Sequence, residues 1–406
     1  MNGEPPLTVA QARARILAKV SKDLPVEAVA LERATGRTLA VALAAKRTQP
    51  PRAVSAMDGY AVRARDLAEL PVKLKQIGES TAGHGFPSSL GPKETVRIFT
   101  GAPVPDGCDT ILIQENARVD ADFVEPLETV ASGRHIRAKG IDFAEGEVLL
   151  RPGTRLRASN IALAAAMNFA EVTVTRRPRV GILATGDELV RPGKTVGADQ
   201  IVASNSFAIA ALVEAAGGEP FDLGIAGDEL GALEEGIAAA RAADVLVTLG
   251  GASVGDYDLV KPALAKQGMQ LSFWRIAMRP GKPVIHGHLG PMIILGLPGN
   301  PVAAFVAGIV FLVPLVRALC GDPDAGSDQS EPAILGKALR GNDSRQDFLR
   351  ATLSPSETGL PVATPFEIQD SSLLRVLAQA QCLVVREPHA RPAAAGDLCR
   401  IIRLDF

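Results

Sequence analysis

The chain has 406 residues, too many for one ordinary core, so its length argues for two to four domains. Its 43 Lys and Arg nearly balance 45 Asp and Glu, leaving a net charge of −2. That balance excludes a general nucleic-acid or membrane-surface binder and makes any anion recognition local. Four cysteines, Cys108, Cys320, Cys382 and Cys399, form no CxxC or Cys/His cluster, which argues against a zinc site or a disulfide framework.

Residues 1–6 lack the basic region and apolar run of a signal peptide, so a cytoplasmic location is expected. In residues 7–20 the apolar positions Val9, Ile16, Leu17 and Val20 fit a helix capped by Thr8. A second helical stretch is expected within 26–45. Short alternating runs at 72–77, 95–99 and 110–113, separated by Gly/Pro turns, predict a β-rich domain over 48–140. A helix at 159–167 and a strand at 171–175 lead to Pro178, a domain boundary. Residues 1–47 and 141–177 are then a discontinuous mixed α+β N-terminal domain.

From 178 to 320 the texture becomes that of a three-layer α/β domain with a parallel sheet. Buried strands at 179–184, 246–249 and 292–297 alternate with helical patterns at 204–216 and 230–242, the first opening with the N-cap candidates Ser204 and Asn205. Each strand stops at a polar turn: Thr185, Gly186, Asp187 and Glu188; then Gly250, Gly251, Ser253, Gly255 and Asp258; then Pro298, Gly299, Asn300 and Pro301. Glycines let backbone N–H groups approach phosphate oxygens, and a helix from about 259 directs its positive end at them. Ligands on such sheets bind beyond the strand carboxyl ends, where the turns converge. The apolar run 302–316 is short of the roughly 20 residues that span a bilayer and contains Pro314, so it reads as a buried helix and no membrane is implied. His286 and His288 alternate on a short strand and are expected at the surface. Linker composition at 321–328 precedes a compact β module over 328–406. No Ser-His-Asp or Cys-His arrangement points to covalent catalysis.

Seven motifs in this order closely resemble the molybdopterin molybdenumtransferases, the MoeA type also found in the C-terminal region of gephyrin. They are Ser55-Ala56-Met57-Asp58-Gly59-Tyr60-Ala61, Phe99-Thr100-Gly101-Ala102-Pro103-Val104-Pro105, Lys139-Gly140-Ile141-Asp142, Thr185-Gly186-Asp187-Glu188-Leu189, the run Gly250 to Asp258, Arg279-Pro280-Gly281-Lys282-Pro283 and Gly296-Leu297-Pro298-Gly299-Asn300-Pro301. The resemblance covers essentially the whole chain. It implies an elongated four-domain subunit with a MoaB/Mog-like molybdopterin-binding domain and a C-terminal β-barrel-like domain. It also implies a homodimer whose active cleft lies between the α/β domain of one subunit and the β-rich domain of the other. The implied reaction is Mg2+-dependent insertion of molybdate into adenylylated molybdopterin, with release of AMP.

Asp58, Asp142, Glu188, Asp228 and Asp258 match acidic positions of the family's cleft. Two unshielded carboxylates about 5 Å apart repel by roughly 3 kcal/mol at an effective dielectric near 20, so such a cluster calls for a cation or protons. Asp228 and Asp258 are the expected metal ligands, with Glu188 near the metal or nucleotide. Molybdate is a tetrahedral dianion, and Arg275, Arg279 and Lys282 would furnish its cationic pocket. Arginine stands at 275 and 279 where the family often has lysine, which substitutes a planar fork for a point charge. Arg350 and Ser371 sit where the family places oxyanion contacts, and Thr100 would donate its hydroxyl to substrate phosphate. The competing readings are a molybdopterin adenylyltransferase, which shares the 185 and 250 motifs but lacks the flanking domains, and a non-catalytic scaffold. Contacts with an adenylyltransferase and with molybdoenzyme maturation proteins are expected partners.

Overall fold

The computed structural model describes residues 5–21, 23–251, 259–357 and 359–405. The chain forms two compact units: Met1–Glu27, Gly36–Ala40 and Val174–Phe406 make one, Ala28–Thr35 and Val41–Thr173 the other.

The larger unit is built on helix α1 (Val9–Leu17), a six-stranded sheet and a barrel. Thr8 caps α1 in a full capping box with Gln11, and Val9, Ala12 and Ile16 bury one face, as the sequence spacing predicts. The sheet comprises β1 (Arg179–Thr185), β2 (Glu219–Ala226), β3 (Val245–Leu249), β4 (Gln270–Arg275), β5 (Pro283–Leu289) and β6 (Met292–Leu297), in the order β2-β1-β3-β6-β5-β4. The β2-β1-β3-β6 pairings are parallel, and β5 and β4 extend the sheet through antiparallel pairings. Both faces are covered, which is why these strands read as continuous apolar runs rather than as alternation. On one side α2 (Asn205–Ala216), α1 and the long 301–319 helix pack a single core; on the other, α3 (Leu230–Ala239) and α4 (Val260–Lys266) pack a second. The expected three-layer α/β domain is therefore present.

The 301–319 helix meets the length and composition of a membrane span, yet 72% of its most apolar window is buried inside the protein. It contains a π turn at Gly308–Leu312, ending two residues before Pro314. Proline has no N–H to donate and its ring crowds the carbonyl four residues back, so widening the turn there keeps the helix continuous.

After the sheet, β7 (Glu331–Leu335), β8 (Gln346–Ser354), β9 (Val362–Pro365), β10 (Cys382–Arg386) and β11 (Leu398–Arg403) form a closed five-stranded barrel, because β10 pairs with both β11 and β8. Met278–Arg279 adds a short parallel pairing to the start of β8.

The smaller unit carries a six-stranded mixed sheet whose strands run in the order Thr110–Ile113, Gly59–Val62, Glu94–Ile98, Leu74–Ser80, Phe123–Pro126 and Ala117–Asp120. The helix expected within 26–45 is absent. That stretch is a strand at Val26–Ala30, a 3-10 turn at Leu31–Arg33 and a two-residue strand at Leu43–Ala44. Two features override its helical spacing: Gly36 takes a left-handed φ of 75°, and Arg37 is buried with its guanidinium on Glu27 and the Thr175 carbonyl.

Candidate active site at the carboxyl edge of the sheet

Three strand ends build one cleft of about 710 Å3. At the end of β1, the Thr185 hydroxyl donates to the Leu249 carbonyl (3.3 Å) and the Gly186 N–H to the Ala226 carbonyl (3.1 Å), tying this turn to its neighbours. Gly186 has φ 141°, and a Cβ there would lie 2.3 Å from the Glu188 carboxylate, so the glycine gives that side chain its place. After β3, the Gly250 N–H donates to the Leu297 carbonyl (3.1 Å). Gly250 has φ 101°, and a Cβ on it would stand 2.8 Å from the Thr185 carbonyl and hydroxyl oxygens. The turn after β6 is held by Asn205, whose side-chain amide donates to the Gly299 carbonyl (2.7 Å).

Thr185, Gly186, Glu188 and Asp228 line the cleft with Ser204, Asn205, Gly250 and Gly251, and Pro298 to Pro301 close its far side. Asp187 stands behind them, its Oδ1 accepting the Asp228 N–H at 3.0 Å. Ser371 joins from the barrel: its hydroxyl accepts from the Asn300 amide at 3.0 Å, and its carbonyl from the Val302 N–H. Ser204 opens α2 as expected but makes no side-chain cap bond. Ser253, Gly255 and Asp258 lie outside the described residues.

The basic candidates occupy other places, and none of the four lines this cleft. Arg279 turns to the barrel, where its Nε and Nη2 donate to the two Asp347 carboxylate oxygens (both 2.8 Å) and Nη2 also to Asn342 Oδ1 (3.1 Å). Arg350 is 1% exposed, with Nε on Gln369 and Nη1 on the Asp370 carbonyl. Its guanidinium thus ties down the loop that carries Ser371. Arg275 stacks on Trp274, with Cζ 3.9 Å from the ring centroid. Lys282 is exposed, one residue before Pro283 of the cleft wall.

In the smaller unit, Asp58 and Thr100 form one device. The Thr100 N–H (2.7 Å) and hydroxyl (2.8 Å) both donate to Asp58 Oδ1, and these bonds hold the Asp58 carboxyl below the usual carboxylate range. The two turns are knitted further: the Gly101 N–H donates to the Ser55 carbonyl and the Ser55 N–H to the Ala102 carbonyl, both at 2.9 Å. Gly59 is required, since a Cβ there would stand 2.0 Å from the Leu112 carbonyl oxygen. Asp142 is exposed on a segment held by its N–H to the Gln49 carbonyl.

Among the described residues no three His, Cys, Asp or Glu gather as a metal cage. Mg2+ rarely needs one: it keeps several waters and takes one or two carboxylates plus substrate phosphates. Glu188 and Asp228 on a glycine-lined cleft fit that donor set.

Sequence reasoning missed Ser372, which lines the cleft with its N–H and hydroxyl on Asp370 Oδ1, and it missed Asp347 as the partner of Arg279. Ser372 sits beside Ser371 in the chain, whereas nothing local announces Asp347. The expectation that His286 and His288 lie at the surface is corrected. His286 is fully buried and His288 half-buried, because β5 is an internal strand. Burial pushes the His286 pKa down to about 4, and lowers that of His288, which Lys19 also disfavours in its charged form.

Three family models cover the chain in turn: the MoeA N-terminal region (domains I and II) matches residues 7–168, a probable molybdopterin binding domain residues 181–318, and the MoeA C-terminal region (domain IV) residues 332–404. The molybdopterin molybdenumtransferase of Haemophilus influenzae is 35% identical over 397 residues, covering 97% of this chain and 98% of the relative. That of Nostoc sp. is 41% identical over 314 residues, 75% of this chain and 72% of the relative. The crystal structure of a molybdopterin biosynthesis MoeA protein from Pyrococcus horikoshii OT3 superposes with a TM-score of 0.84 at 26% identity, covering 98% of this chain and 99% of that one. With three family models matching it in turn and a relative 35% identical over nearly its whole length, the chain belongs to the molybdopterin molybdenumtransferase family, a family of transferases.

Proposed function

We propose that this protein inserts molybdenum, taken from molybdate, into adenylylated molybdopterin, releasing AMP as the pyrophosphate bond breaks. The observation that carries the reading is the convergence of three turns on one cleft that also presents Glu188 and Asp228. The backbone of the Gly186 and Gly250–Gly251 turns would receive the phosphates, which only residues without a Cβ allow in those conformations. Asn205 and Asn300 would fix the wall against which the nucleotide lies. Mg2+, held by Glu188, Asp228 and Asp258, would supply charge neutralisation on the bridging oxygens.

Lys282 and Ser371 are the groups we assign to molybdate, a point charge and a hydroxyl for a tetrahedral dianion. Arg350 serves by holding the Ser371 loop, and Arg279 by anchoring the 279–282 turn to the barrel. Asp58 stays ionised and orients the Thr100 hydroxyl, and we assign this pair, with Asp142, to substrate contact. The reading includes a homodimer in the cytoplasm, four domains within the two compact units, and exchange of the pterin with an adenylyltransferase and with maturation proteins.

The test is AMP release from molybdopterin adenylate with Mg2+, with and without molybdate, while counting molybdenum on the pterin. Molybdate-dependent release with matching metal incorporation is expected. Product formation that instead requires ATP would identify an adenylyltransferase. Binding of the adenylate without release by the intact protein would identify a scaffold.

A further inference from the structure

The loop after β9 carries Ser371, and two sets of bonds decide where it lies. On the barrel side, β9 ends at Pro365, opposite Ala351 of β8, so the backbone of Arg350 runs past the end of its neighbour. The Gln369 side chain takes the place of the missing strand. Its Oε1 accepts from the Arg350 N–H (3.0 Å) and Nε (3.1 Å), and its Nε2 donates to the Arg350 and Phe366 carbonyls (both 3.0 Å). A carboxamide is the one side chain of this length that offers a donor and an acceptor in one plane. With Nε held there, Nη1 of Arg350 donates to the Asp370 carbonyl at 2.8 Å.

On the sheet side the bonds go to Ser371 itself. The Asn300 amide donates to its hydroxyl and the Val302 N–H to its carbonyl, both at 3.0 Å. Asn300 therefore fills a lone pair of the hydroxyl and leaves its proton unspent among the described residues. A hydroxyl set in that sense is a donor, which is what a dianion requires. Gln369 does not line the cleft, so any part it plays there passes through Arg350 and Ser371.

We propose that Gln369 is a positioning residue for the insertion reaction: its amide locks Arg350 and the 369–373 loop, and so holds Ser371 where Asn300 leaves its hydroxyl proton for the substrate anion. This inference rests on the insertase reading and on the assignment of Ser371 to molybdate.

Gln369→Glu tests it with almost no change of shape. The oxygen on Arg350 remains, while a carboxylate oxygen replaces Nε2 and faces two carbonyls with no proton to give. Gln369→Met, of similar length and uncharged, repeats the test should the glutamate variant fail to fold. Steady-state AMP release is measured for the parent, each Gln369 variant, Ser371→Ala and the double variant, with molybdate and molybdopterin adenylate varied in turn. The expected result is a KM for molybdate raised roughly tenfold in each single variant, with kcat within about twofold and the KM for the adenylate unchanged. The double variant should be no worse than Ser371→Ala alone. Effects that multiply in the double variant overturn the proposal, since Gln369 would then act apart from Ser371. So does a rise of both KM values together or a fall in kcat alone, the pattern of a general loss of structure. A parent without molybdate-dependent release brings down the insertase reading and this proposal with it, whereas a parent that turns over beside unchanged Gln369 variants brings down the proposal alone.

Discussion

The α/β sheet leaves its strand ends open, and at its carboxyl edge successive turns expose backbone and carboxylates to one cleft. The barrel joins β8 to β10, has no free edge, and directs its polar side chains into bonds with its own loops and with Arg279. The carboxylates Asp187, Glu188 and Asp228 there are exposed and stand beside glycines of unusual φ, whereas Arg350 of the barrel is buried and spent. An open parallel edge can hold ligand contacts in reserve. A closed barrel stiffens what is attached to it.

The largest expected effect breaks the barrel side. Arg350→Ala removes the donors that hold the Gln369 and Asp370 loop, and urea denaturation should show a loss of about 3 kcal/mol. A loss below about 1 kcal/mol would mean that the loop is held by other contacts. On the sheet side, Gly250→Ala must force a left-handed φ and push against Thr185, costing about 2 kcal/mol and, if the proposed reaction holds, slowing AMP release; an unchanged midpoint and rate would show that the turn relaxes freely.

His286 sharpens the comparison through pH. Its folded pKa of about 4 lies below the ordinary 6.5, so the unfolded chain takes up the proton first. Its contribution is complete above pH 6.5 and is lost as the pH falls towards 4. Stability should drop by about 2 kcal/mol between pH 7 and pH 5, and His286→Phe should flatten that part of the profile. A parallel slope in the variant would assign the acid sensitivity to other groups. The smallest effect belongs to Arg279 and Asp347. Because Arg279 is nearly half exposed, a double-mutant cycle should give only about 1 kcal/mol of coupling, and additive single mutants would dissolve the proposed anchor.

Much of the sheet side is legible in the sequence because strands buried on both faces leave long apolar runs that end abruptly at glycine turns. The strands at 179–184, 246–249 and 292–297 and the capped first helix belong to this class. The stretch 26–45 is not legible, since a left-handed glycine and a buried arginine decide it through contacts made far along the chain. Alternation places His286 and His288 on one face but is silent about whether that face is covered; the covering elements are α1 and its neighbours in the core. The pairing of Arg279 with Asp347 joins residues 68 apart, a distance over which no local pattern carries information.

Gly186 decides more than the shape of its turn. The space that a Cβ would fill is taken by the Glu188 carboxylate, 2.3 Å from where that atom would stand. A single methyl group at 186 therefore evicts the acid from its seat while leaving every charge in the protein unaltered. At this point of the cleft the quantity open to change is volume, and an alanine offers a way to relocate a carboxylate without deleting one.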